Sequence, residues 1–131
     1  MARILILEDE VDLAELYRMA LEAAGHEVLG IFDDPERVLA LRAKSLDPDV
    51  IVLDERLRGQ SGMSFLPGLR GAFPRSRVMF ASADPDAVEA SLLKCADVSR
   101  KKPFPLSELV RDISLLLRSV APLKKCEDPS R

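Results

Sequence analysis

Val50-Ile51-Val52-Leu53-Asp54 is the stretch on which the fold turns. An unbroken apolar run, preceded by the Asp47-Pro48-Asp49 turn and closed by a carboxylate, reads as a strand buried on both faces. Two further runs share this grammar. Leu5-Ile6-Leu7 ends on Glu8-Asp9-Glu10, and Val78-Met79-Phe80-Ala81 ends on Ser82-Ala83. A fourth, more polar stretch, Val98 to Lys101, leads into Lys102-Pro103-Phe104. Open parallel sheets carry their chemistry at the carboxyl ends of the strands. Side by side, these strands would gather three acids, a hydroxyl and an ammonium on one small site.

Between the strands lie helical patterns. Leu13, Leu16, Tyr17, Ala20, Leu21 and Ala24 recur at helical spacing over residues 12–24, and Gly25 closes the segment. Val28 to Phe32 is a second strand. Asp33-Asp34-Pro35 opens a helix predicted to reach Ser45. Residues 56–62 read as a loop, and 63–73 as a helix of poor propensity in which Pro67 is tolerable only within the first turn. Asp84-Pro85 caps a helix running to Cys95, with Val88, Leu92 and Cys95 inward. The last helix is the clearest, with Leu106, Leu109, Val110, Ile113, Leu117 and Val120 in register. Five alternating units predict a parallel sheet with helices on both faces. The fifth strand, with Ser99, Arg100 and Lys101, suits an exposed edge blunted by charge. Residues 1–121 read as one domain and 122–131 as a flexible tail.

The bulk properties exclude several classes. At 131 residues, with 47% hydrophobic and 31% charged residues, the chain has material for one soluble core. A net charge of -3 gives no basic stripe for nucleic acid. No apolar run approaches the roughly 20 residues that span a bilayer. Cys95 and Cys126 make no disulfide framework or metal motif, so the chain is read as reduced and cytoplasmic. The single histidine, His26, excludes schemes that need several imidazoles.

The gathered residues have a joint chemistry. Glu8, Asp9 and Asp54 repel one another unless a cation sits among them. With oxygen donors alone, the site selects a hard ion, and Mg²⁺ suits it better than Ca²⁺ beside a phosphoryl acceptor. An aspartate can attack phosphorus to give an aspartyl-phosphate. Mg²⁺, the Lys102 ammonium and the Ser82 hydroxyl would then each meet one phosphoryl oxygen. Pro103 is a candidate for a cis peptide. Each residue alone has a plainer reading, as a turn acid, a helix cap or a surface lysine. Their joint occurrence at strand ends favours the site.

On these residues the chain resembles the receiver domain of bacterial response regulators, over roughly residues 2–120. The motifs are Leu7-Glu8-Asp9-Glu10, Leu53-Asp54 with Gly62 eight residues on, Ala81-Ser82-Ala83, and Lys102-Pro103-Phe104. The resemblance implies a flavodoxin-like, doubly wound α/β domain with sheet order 2-1-3-4-5 and five helices. It implies that a sensor histidine kinase or histidine phosphotransfer protein delivers a phosphoryl group to Asp54. Asp9 and Asp54 would hold Mg²⁺ directly, Glu8 through water, with the Arg56 backbone carbonyl completing the set. Ser82 would be the switch hydroxyl and Lys102 the phosphate-binding cation. The output would be a changed face of the fourth helix, fifth sheet strand and fifth helix, engaging an unknown output protein or a second copy. No catalysis is expected beyond self-phosphorylation and autodephosphorylation, and no direct partner among nucleic acids or membranes. The domain is expected to stand alone or to be cut from a larger regulator.

Four departures stand out. Ser99 takes a place that is usually aromatic, Arg58 one that is often proline, and Cys95 one where glycine is common. Arg56 and Asp84 occupy two positions that tune dephosphorylation in the family, and an ion pair between them would hinder the attacking water. A phosphorylation-independent interaction module is the main rival. A turnover phosphatase is disfavoured because Arg56 stands where a second acid is needed. An NTPase is disfavoured because no Gly-rich cradle follows the first strand.

Overall fold

The computed structural model describes residues 2–41 and 46–119. The apolar runs form β1 (Arg3–Leu7), β2 (Glu27–Phe32), β3 (Val50–Asp54), β6 (Arg77–Ser82) and β7 (Val98–Lys101). All pair in parallel, in the order β2-β1-β3-β6-β7. The helices are α1 (Val11–Ala23), α2 (Pro35–Leu41), α3 (Leu66–Ala72), α4 (Pro85–Lys94) and α5 (Leu106–Arg118). With the two short strands of a side hairpin, β4 (Arg56–Leu57) and β5 (Gln60–Ser61), set apart, the sheet order is the expected 2-1-3-4-5.

Strand side chains alternate between faces, and the sheet is buried on both. Leu5, Leu7, Ile51, Leu53, Val78 and Phe80 share one core with Val38 of α2, Leu66 and Leu69 of α3, and Ala87 of α4. Ile4, Ile6, Val50, Val52 and Met79 share the other with Ala14, Tyr17 and Leu21 of α1 and Leu109, Ile113 and Leu116 of α5. In register, Leu7 lies beside Leu53, Asp54 beside Ala81, and Ser82 beside Lys101. The strand ends are therefore level. The crevice above β1 and β3, where the winding reverses, is where such a sheet binds its ligand.

Several local expectations are corrected. Residues 56–62 are not a plain loop. Arg56–Leu57 (β4) and Gln60–Ser61 (β5) pair as an antiparallel hairpin, followed by a 3₁₀ turn, Gly62–Phe65, that leads into α3. Pro67 does fall in the first turn of α3. On α1, Leu16 is 47% exposed while Ala14 is buried, because the buried stripe runs 14–17–21 and the apolar pattern was wider than the face the sheet covers. On α5, Leu117 is 41% exposed and Asp112 lies inside instead. Asp112 is tolerated there because the Arg100 guanidinium of β7 forks onto it at 2.5 and 2.8 Å, with a second ion pair to Glu108 at 2.6 Å. Arg100 is thus a tie from sheet edge to helix rather than a bare edge charge. Cys95 is fully buried, and the reading of the two cysteines as unpaired involves Cys126, which lies outside the described residues. The expected end of α2 at Ser45 and the tail over 122–131 also fall outside the described residues.

Candidate functional site

Each strand end delivers its polar residue to one open cavity of about 540 Å³. Glu8 follows β1, Asp54 ends β3, Ser82 ends β6, and Lys102 follows β7. All four line the cavity, with Asp9, Glu10, Glu55, Arg56, Ala83 and Asp84. The Lys102 backbone N–H donates to the Ser82 carbonyl at 2.8 Å, which continues the parallel pairing by one step and turns the lysine inward. The Lys102–Pro103 peptide is cis. Beside the lysine, Phe104 stacks on Tyr17 of α1 with ring centroids 6.1 Å apart. Burial pushes the Tyr17 hydroxyl up to about 12, so it stays protonated.

One ammonium serves two carboxylates. Lys102 Nζ lies 2.5 Å from Asp54 Oδ1 and 3.0 Å from Glu8 Oε2. Burial alone would lower the lysine pKa, but the hydrogen bonds and charges of Asp54 and Glu8 outweigh it and hold the group above its ordinary value. Glu8 is 3% exposed. Burial pushes its carboxyl up to about 7, the Asp54 charge adds to this, and Lys102 and the Glu10 amide offset only part. Asp54 Oδ2 accepts from the Arg56 amide at 3.2 Å. Ser82 is buried, and its oxygen accepts from the Asp84 amide at 3.0 Å, which leaves the hydroxyl proton free to point into the cavity.

The lining of this cavity carries six carboxylates and two cations. Glu8, Asp9 and Asp54 each offer an oxygen, and these oxygens lie within 4.8 Å of one another. A shared lysine cannot neutralise three acids, and an all-oxygen donor set matches a hard divalent ion. The residues present therefore fit Mg²⁺.

The expected ion pair across the mouth is corrected. Among the described residues no ion pair joins Arg56 to Asp84. The Asp84 carboxylate instead accepts the Asp86 amide in the first turn of α4 at 2.9 Å, and Arg56 is exposed at the cavity rim.

Sequence reading gives no role in the site to three residues that lie there, although Gly62 enters it as a motif member and Arg58 as a departure. Gly62 packs so closely on β3 that a Cβ there would lie 1.9 Å from the Asp54 carbonyl oxygen. Glu55 takes the Ser61 hydroxyl on Oε1 at 2.9 Å while its Oε2 is buried with no partner among the described residues. Arg58 sits in the left-handed region with φ 53°, a conformation the proline ring cannot adopt, and its amide donates to Asp9 Oδ2 at 3.2 Å. The only available cue was the Arg58-Gly59 pair between Leu57 and Gln60, a two-residue turn signal.

Comparison with known proteins agrees with this geometry. The profile of the response regulator receiver domain matches residues 4–114. The "Probable transcriptional regulatory protein TcrX" of Mycobacterium tuberculosis is 36% identical over 118 residues, covering 88% of this chain and 49% of that protein. The "DNA-binding response regulator MtrA" of Mycobacterium leprae is 33% identical over 117 residues, covering 88% and 51%. The chain spans about half the length of these curated relatives. The description DNA-binding is that of MtrA, a longer protein, and the expectation of no nucleic-acid partner has no support from these relatives. Among solved structures, the receiver domain of NtrX from Brucella abortus superposes with a TM-score of 0.79 at 25% identity, covering 88% of this chain and 98% of that one.

Proposed function

The chain belongs to the response regulator receiver domain family, and from that premise we propose that it is a phosphoacceptor switch whose acceptor is Asp54. The observation that carries this reading is the placement of Lys102 Nζ between Asp54 and Glu8 at the mouth of a cavity that Asp9 and Ser82 also line.

The donor is the phosphohistidine of a sensor kinase or phosphotransfer protein. An Asp54 carboxylate oxygen attacks phosphorus, the O–P bond forms as the N–P bond breaks, and the imidazole leaves with its electron pair and picks up a proton. Asp9, Asp54 and the Arg56 carbonyl directly, and Glu8 through water, would hold Mg²⁺, which would supply positive charge to the phosphoryl oxygens. Lys102 already contacts Asp54 and has only to shift onto a phosphoryl oxygen. The Ser82 hydroxyl donates to another while still accepting from the Asp84 amide. That inward pull on the end of β6 is the event that biases the face of α4, β7 and α5, where an output protein or a second copy binds. Arg56 and Asp84 act as separate rim groups that shape water access and so tune dephosphorylation. The kinase places this chemistry in the cytoplasm, and no described helix is long and apolar enough to cross a membrane.

The test is incubation with Mg²⁺ and acetyl phosphate, read by intact mass. One phosphoryl group per chain is expected, hydroxylamine-labile and absent from Asp54→Ala. A wild-type chain that gains no mass and shows no spectral change with beryllofluoride would favour the rival reading, a phosphorylation-independent interaction module. The tie of Arg100 to α5, which stiffens the output face, is the observation in its favour.

A further inference from the structure

We infer that Arg58 is a positioning residue for the cation site, acting through its backbone amide in the β4–β5 turn; this rests on the reading of Glu8, Asp9 and Asp54 as cation ligands. The turn joins Leu57 to Gln60, which pair across the hairpin, and both turn residues are left-handed, with φ 53° at Arg58 and 79° at Gly59. Such a two-residue turn fits the twist of a hairpin but favours glycine or asparagine over arginine. Here the turn aims the Arg58 N–H out of the ladder and onto Asp9 Oδ2, 3.2 Å away. The same residue's guanidinium lies 3.7 Å from Asp34, so one side of the turn touches the loop after β1 and the other the loop after β2.

The base of the hairpin is anchored to the phosphoacceptor strand. Ser61 holds Glu55, the residue after Asp54, and Gly62 abuts the Asp54 carbonyl. Asp9 is exposed, and among the described residues this amide is its hydrogen-bond partner, whereas Glu8 and Asp54 are held by Lys102. Left to itself Asp9 would turn to water, away from two like charges. The amide keeps it with the other two. The position of the third ligand thus follows from the hairpin, and the hairpin from a left-handed residue 58.

The experiment compares Mg²⁺ affinity, by calorimetry on the unphosphorylated full chain, for wild type, Arg58→Gly and Arg58→Pro. Glycine keeps both the N–H and the left-handed backbone, so its Kd should stay within about twofold of wild type. Proline has neither, so its Kd should rise about tenfold, the effect of one charge-assisted hydrogen bond. Hydrogen exchange on the metal-free wild type supplies a readout that needs no variant: the Arg58 amide should exchange slowly. Equal Kd values for the proline variant and wild type overturn the inference, as does an equal loss in both variants, which would assign the effect to the guanidinium and Asp34. A fast-exchanging Arg58 amide overturns it even where the proline variant fails to fold. If wild type itself binds no Mg²⁺, it is the cation reading that fails.

Discussion

The two ends of the sheet each bury a cation against carboxylate, with opposite results. At the amino-terminal end, Arg70 of α3 is 7% exposed and fully engaged. It donates to the Cys95 carbonyl at 3.1 and 2.7 Å, to the Ser76 carbonyl at 2.5 Å, and to Asp97. Asp97 in turn accepts the Val78 amide at 2.7 Å and faces Arg77 at 3.5 Å. Two guanidinium groups and a backbone amide thus close on both oxygens of one buried carboxylate. At the carboxyl-terminal end, one lysine is divided between two acids, with a third acid beside them and an open cavity above. A closed network holds a fold together. An open one with surplus charge is a place for something to bind.

The contrast is sharpest under mutation of the two cations. Arg70→Ala removes one of the two guanidinium groups on buried Asp97 and a donor to two carbonyls, and should lower unfolding free energy by about 3 kcal/mol in denaturant titrations. Saturating Mg²⁺ should restore none of it. Lys102→Met also destabilises the metal-free protein, through Glu8 and Asp54, but here Mg²⁺ should recover most of the loss. If Mg²⁺ rescues both variants, or neither, the two ends are not different in kind.

A smaller effect concerns pH. The folded-state pKa of Glu8, about 7, lies above its ordinary 4.5, so the folded, metal-free protein binds the extra proton. Its stabilising contribution is present below about pH 4.5 and fades as pH rises through about 7. Thermal melts in EDTA should lose on the order of 2 kcal/mol across that window. Glu8→Gln should flatten the curve. Mg²⁺ binding, which needs the ionised form, should tighten over the same range. The smallest effect belongs to the rim. Arg56→Ala and Asp84→Ala remove groups that are exposed and not paired with each other, so each should change the dephosphorylation rate by only about threefold. A change of a hundredfold in either would show that the rim controls water more firmly than its geometry suggests.

What was legible in sequence follows the same divide. The sheet could be read because each strand is a local apolar run, and the site because each run stops on a polar residue at the same end. The features that escaped depend on distant partners. Arg70 reads as an ordinary arginine in a weak helix until Asp97 arrives from 27 residues away. Asp112 interrupts no apolar pattern, and its burial makes sense only with Arg100. The hairpin after Asp54 spans too few residues to show periodicity, and its hold on Asp9 crosses 49 positions. Leu16 shows the converse error, where a local pattern assigns to the core a side chain that the neighbouring elements leave uncovered.

The fork between Arg100 and the acids one helical turn apart at positions 108 and 112 also sets what kind of movement this flank permits. Joined through one planar head group, the outermost strand and α5 are expected to move together under the proposed switch. Reporter dyes on that strand and that helix should then keep a constant separation on phosphorylation, whereas a dye on α4 should change its distance to both.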